Sequence, residues 1–240
     1  MRGYAPALDA EYRTTPPSYA HIMRTMRVMM GIGLLTAMPS VLLSQPVEGI
    51  RPLLAAERSA LRSILPSATQ LLHEPAAIEK FLEMLDGAPP EWGIVYGPHG
   101  TGHDDRLFAL NRLRDRLRAG REVLTQEVTF FWSGELSSSD PSSGGFRVAI
   151  GPKVIPTRWG LVRFKPDSLP SALVAVPSPS LRRSLQERIA SGERVELEVA
   201  MTGRLVPDES IIYDFAHEEP GRGMVMPVVR IERLDYLMVR

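Results

Sequence analysis

Hydrophobic spacing changes character at Gly120. Upstream, apolar residues recur at intervals of three and four; downstream, they alternate or gather in short runs rich in β-branched and aromatic residues. A chain with that switch is α+β, its helices and strands segregated along the sequence rather than interleaved. The stretch 52–120 reads as three helices. The first opens at Pro52, a good first-turn residue, and stops before Pro66. The second opens at Pro75, places Ile78, Phe81, Leu82 and Leu85 on one face, and closes at Gly87. The third covers 104–119, with Leu107, Leu110, Leu113 and Leu117 expected inward, Asp104 and Asp105 at its start, and Arg116 and Arg118 near its end, both charge placements favourable to the helix dipole.

Beyond Gly120, the runs 127–132, 146–150, 159–164 and 172–176 have strand composition. A helix follows over 179–190, with Leu181, Leu185 and Ile189 on one side and Ser178 in position to cap it. The segment 194–205 then alternates, with Val195, Leu197, Val199 and Met201 inward and Glu196 and Glu198 outward. A long final strand covers 224–238, and Pro227 near its start suits an edge or a bulge. The serine-rich stretch 137–145 reads as a flexible loop. Three strands, one helix, then two strands is the order of an OB barrel. The expectation is therefore a helical segment at 50–122 and an antiparallel, β-barrel-like domain at 123–240, OB-like in element order, with one helix between strands 3 and 4. The short run 172–176 exceeds the minimal OB pattern, and an unrelated α+β sheet gives a similar string.

Residues 28–43 form an apolar run of 16 residues, interrupted near its end by Pro39, preceded by Arg24 and Arg27 and followed by a polar exit at Ser44. As a helix, 16 residues span about 24 Å, short of the roughly 30 Å hydrocarbon core, so the run reads as a cleaved export signal within a 1–44 leader. The polar residues before it make Met23 or Met26 the expected true start. A retained membrane anchor and a buried core helix are the alternatives; with no cysteine, a lipoprotein anchor is excluded. The absence of cysteine also removes disulfides and thiolate chemistry, in keeping with an oxidising periplasmic or extracellular compartment.

The chain carries 28 basic and 28 acidic residues; without 1–44 the balance is 24 to 26. A near-neutral surface gives no general attraction to nucleic acid, and membrane contact is expected only through the N-terminal segment if it is uncleaved. The sequence GPHGTGHD at 97–104 copies the spacing of a phosphate-binding loop. His103, however, stands where a lysine must reach phosphate, and Asp104 where a hydroxyl must bind magnesium, so nucleotide is not expected. His99 and His103 are weak metal candidates, and neither a metal nor a cofactor is expected.

A second polar cluster, YDFAHEEPGRG at 213–223, brings His217 beside Asp214 and Glu218, a grouping able to supply a general base with an orienting carboxylate. Tyr213, Phe215 and Arg222 in the same segment are binding candidates, as are Arg112 and Arg116, one helical turn apart. Trp92, Trp132 and Trp159 suit a stacking platform if exposed and a core if not. No nucleophile elbow or comparable catalytic motif is present. The leading reading is an exported, non-enzymatic envelope protein whose β-rich domain binds a partner protein or glycan. The alternatives are an extracytoplasmic hydrolase or metal-dependent enzyme using His217 with Asp214 or Glu218, and a membrane-anchored assembly component.

Overall fold

The computed structural model describes residues 47–97, 102–217, 219 and 221–239. The apolar run at 28–43 expected to direct export, His99 and Glu218 therefore lie outside the described residues. In chain order, the elements are β1 (Ile50–Ala56), α1 (Leu61–Ile64), β2 (Gln70–Leu72), α2 (Pro75–Asp86), α3 (Trp92–Tyr96), α4 (His103–Arg118) and β3 (Glu127–Asp140). These are followed by β4 (Gly145–Gly151), β5 (Ile155–Thr157), β6 (Gly160–Val162), β7 (Lys165–Pro166), β8 (Val174–Val176), α5 (Pro179–Ala190), β9 (Val195–Leu205), β10 (Ile211–Phe215) and β11 (Gly223–Val239).

Six of the strands close a barrel in the order β1, β8, β4, β3, β9, β11 and back to β1. Four of its six pairings are antiparallel; β1 runs parallel to both β8 and β11. The architecture is thus a mixed α+β barrel, with one strand more than a five-stranded OB pattern. Relative to that order, β8 takes the place of the expected strand at 159–164, whose β6 pairs with β11 and β5 beside the barrel, and β1 is added from a segment expected to be helical. Pro52 lies inside β1, paired with Val176, and Ile50–Ala56 is extended. IRPLLAA has apolar residues on both faces of the chain, with Leu53 and Ala56 buried and Ile50, Pro52 and Ala55 exposed, so its hydrophobicity does not alternate as a strand's usually does. The run at 172–176, surplus to the OB pattern, is the strand that receives β1.

The C-terminal alternation is seen as expected. Val195, Leu197, Val199 and Met201 point into the core, where the rings of Phe130 and Phe164 stack at 4.9 Å and Trp159 is fully buried. α5 precedes the last two long strands and buries Leu185. Ser178 stands at its N-cap, but its hydroxyl meets that of Ser180 rather than a backbone N–H. Pro227 falls where β11 passes from β6 to β7 on one side, so its missing N–H interrupts a junction rather than a continuous ladder. The stretch 137–145 is shorter as a loop than its composition suggests. β3 runs on to Asp140, whose carboxylate accepts hydrogen bonds from the Ser142 hydroxyl (2.7 Å) and from the Ser143 amide (3.0 Å) and hydroxyl (2.6 Å). That aspartate closes a tight turn into β4.

α2 buries Ile78, Phe81, Leu82 and Leu85, as its spacing predicts. α4 does not follow its spacing. Leu107 and Leu110 pack on the core, while Leu113 and Leu117 are exposed and Arg114 and Arg118 turn inward. The physical cause lies in the acceptors that α4 faces. Arg114 donates to the carbonyls of Asp86 (2.6 Å) and Ala88 (2.9 Å), and Arg118 donates to the Asp86 carboxylate (2.7 Å) and the Ile211 carbonyl (3.1 Å). Carbonyls at the end of α2 have no partner within the helix, and arginine is the side chain that can satisfy several at once.

Candidate functional site

Two features outside the core can carry function, and they share no residue. The first is the meeting of the two polar loops. α3 ends at Gly97, which takes a positive φ of 67°. Arg106, one turn into α4, donates to the carbonyls of Val95 (2.9 Å) and Tyr96 (2.7 Å), which fixes the end of α3 against the start of α4. From there the Tyr96 hydroxyl donates to the Arg222 carbonyl at 2.7 Å, and burial raises its pKa. The Phe215 ring lies 4.5 Å from that of Tyr96 and 5.1 Å, edge-on, from that of His103. Segments far apart in the chain, around Tyr96 and His103 on one side and Phe215 on the other, therefore form one small aromatic cluster. His103 also approaches Asp104 at 3.3 Å.

The other candidates in these loops separate from one another. Tyr213 is fully buried, and its hydroxyl donates to the Asp86 carboxylate; burial, reinforced by that neighbouring charge, raises its pKa far above the ordinary phenol value. Its backbone is held by Asn111, which accepts from the Tyr213 amide (2.8 Å) and donates to its carbonyl (2.9 Å). Asp214 accepts from the Phe215 amide at 2.8 Å. His217 sits exposed in the following turn, and among the described residues no hydrogen bond or ion pair joins it to Asp214. Arg222 pairs with Glu219 at 2.7 Å. Arg112 and Arg116 are exposed on the outer face of α4, the former over the Phe108 ring at 5.6 Å. Among the described residues, no three His, Asp or Glu side chains come together to hold a metal ion.

The second feature is a groove of about 670 Å³ on the outer surface of the barrel, across β4, β3 and β9. Gly134 and Leu197 form part of its floor, and Ser133, Glu135, Glu196 and Glu198 stand along it. Glu135 lies directly opposite Glu196, and Ser133 opposite Glu198, in the antiparallel register of β3 and β9. Arg58 and Lys153 reach the Glu198 carboxylate at 3.5 and 3.6 Å, leaving the other two glutamates without an ion-pair partner among the described residues. A cross-strand pair of like charges costs stability unless a cation relieves it.

Protein families, curated proteins and solved structures offer no match to this chain. The site is therefore read from geometry alone. Alternation in VELEV placed Glu196 and Glu198 outward from sequence, yet nothing in the sequence paired β9 with β3. Glu135 could be found only once that register was known. The three tryptophans form no exposed platform: Trp159 is buried, Trp132 donates to the Phe164 carbonyl at 3.1 Å, and Trp92 to that of Trp159 at 2.8 Å.

Proposed function

We propose that this is an exported envelope protein that binds a partner protein through the groove across β3, β4 and β9. The observation that carries the reading is the unrelieved Glu135 and Glu196 pair lining a concave surface. A lysine- or arginine-bearing segment laid there gains two charge-assisted hydrogen bonds and removes a like-charge contact. The OB-like reading supports the same role, since barrels of that kind bind extended ligands across a strand face. Export follows from the apolar run at 28–43 and its basic prelude.

The test is affinity capture from envelope extract with the wild-type chain and with the E135Q/E196Q variant. One or more proteins retained by the wild type and lost by the variant support the reading; equal retention by both, or none by either, overturns it. N-terminal sequencing of the purified protein tests export separately. A start just after Ser44 is expected, and an intact Met1 overturns cleavage.

A second reading, an extracytoplasmic hydrolase using His217 with Asp214 or Glu218, rests on the proximity of these groups in sequence; the loop contact of His103 with Phe215 does not include them. Its test is hydrolysis of ester and glycoside panels with and without divalent metal. Activity lost in H217A supports it; activity unchanged in H217A removes it.

A further inference from the structure

The outer face of α4 has an order that its role in the single chain does not explain. Its exposed residues come in adjacent pairs every four positions: Asp104 with Asp105, Phe108 with Ala109, Arg112 with Leu113, Arg116 with Leu117. Phe108 is 63 % exposed, Leu113 48 % and Leu117 55 %, on a helix whose opposite side buries Arg118. At about 100° per residue, these pairs form two adjoining rows that wind over roughly 220° of the helix surface, the four-residue rows that interlock when helices pack. The rows are acidic at the N-terminal end, basic at the C-terminal end and apolar between.

We infer that this face pairs antiparallel with the same face of a second copy. About a two-fold axis between Leu110 and Asn111, Asp105 falls opposite Arg116 of the other helix, Phe108 opposite Leu113, and Ala109 opposite Arg112. By the two-fold symmetry the Asp105–Arg116 pair forms twice, Asp104 falls opposite Leu117, and the small Ala109 allows close approach near the axis. Among the described residues, Asp105, Arg112 and Arg116 have no ion-pair partner within the single chain, so pairing uses charges that folding leaves available. An anionic lipid surface would suit the arginines and apolar residues but would repel Asp104 and Asp105 at the other end of the same rows. A second copy satisfies both ends. Eight residues per copy is well below the roughly 20–30 a side of a stable interface, so the dimer is reversible and concentration-dependent.

The test is sedimentation of the purified full chain over a range of concentrations, for the wild type, D105R, R116D and D105R/R116D, with thermal melts confirming that each is folded. The wild type is expected to dimerise, each single reversal to weaken dimerisation by about ten-fold, and the double reversal to restore it. A wild type that stays monomeric overturns the inference, as does a dimer indifferent to the single reversals or one that the double reversal fails to restore. Flotation with phosphatidylglycerol vesicles separates the lipid alternative. There D105R would strengthen binding and R116D weaken it, and opposite effects of that kind, without a dimer, overturn self-pairing.

Discussion

The Arg118 guanidinium meets the Asp86 carboxylate at 2.7 Å with both side chains essentially removed from solvent. This pair joins the end of α2 to the end of α4, and the Tyr213 hydroxyl and Asp115 carboxylate complete the cluster. Desolvating two charges is expensive; Asp86 also accepts from Tyr213 and Arg118 also donates to Asp115 and the Ile211 carbonyl, while Asp86 Oδ1 and Arg118 Nε have no hydrogen-bond partner among the described residues. Removing one member alone strands the other. R118M is expected to destabilise the protein by about 3–5 kcal/mol, whereas D86L/R118M/Y213F, which strands no charge, recovers most of that loss. Urea unfolding of the two variants measures the difference; equal losses would show that the pair acts through packing alone.

Gly223 lies flat against the Trp92 indole. A β-carbon at Gly223 would stand 1.9 Å from the ring, and the displaced ring would lose the hydrogen bond it donates to Trp159. G223A is expected to cost about 1–3 kcal/mol, as overpacking commonly does, and to shift tryptophan emission as the indole moves. An unchanged melting temperature and spectrum would mean that β11 yields locally instead.

The barrel wall was legible wherever one face of a strand is wet. Val195 to Met201 alternate against glutamates, and that pattern survived into β9. It was illegible in Ile50–Ala56, where apolar Ile50, Pro52 and Ala55 stand exposed beside buried Leu53 and Ala56, so hydrophobicity carries no two-residue period there. Leu113 and Leu117 were misassigned for a different reason. Hydrophobicity predicts burial only until buried carbonyls and a carboxylate need donors, and on α4 the arginines meet that need. Of the candidate site, the individual loops could be named from composition. That Phe215 touches both Tyr96 and His103, and that Glu135 faces Glu196, are consequences of long-range pairing, which no local pattern encodes.

Hydrogen bonds from Ser143 and then Ser142 hold the Asp140 carboxyl below its ordinary pKa. Because the folded value is depressed, this contribution to the turn is present above the unfolded carboxyl pKa and is lost as pH falls through the folded one. The Asp140 side-chain carbon signal, followed by NMR on acidification, should titrate below that of an unconstrained aspartate. S143A should move it back toward the ordinary value. A titration unaffected by S143A would mean that the turn does not depend on that carboxylate.

The groove glutamates separate stability from binding. In the free protein, Glu135 and Glu196 oppose each other across β3 and β9, so E196K converts a repulsive cross-strand pair into an attractive one. It should raise stability by about 0.2–1 kcal/mol, read from urea unfolding. The same change puts a cation where a basic partner segment is proposed to lie, so capture of that partner should fall. Stability and binding then move in opposite directions, which loss of fold cannot produce, since an unfolded variant would lose both. If E196K lowers stability, a cation already neutralises the pair in solution, and the charge argument for a basic partner fails with it.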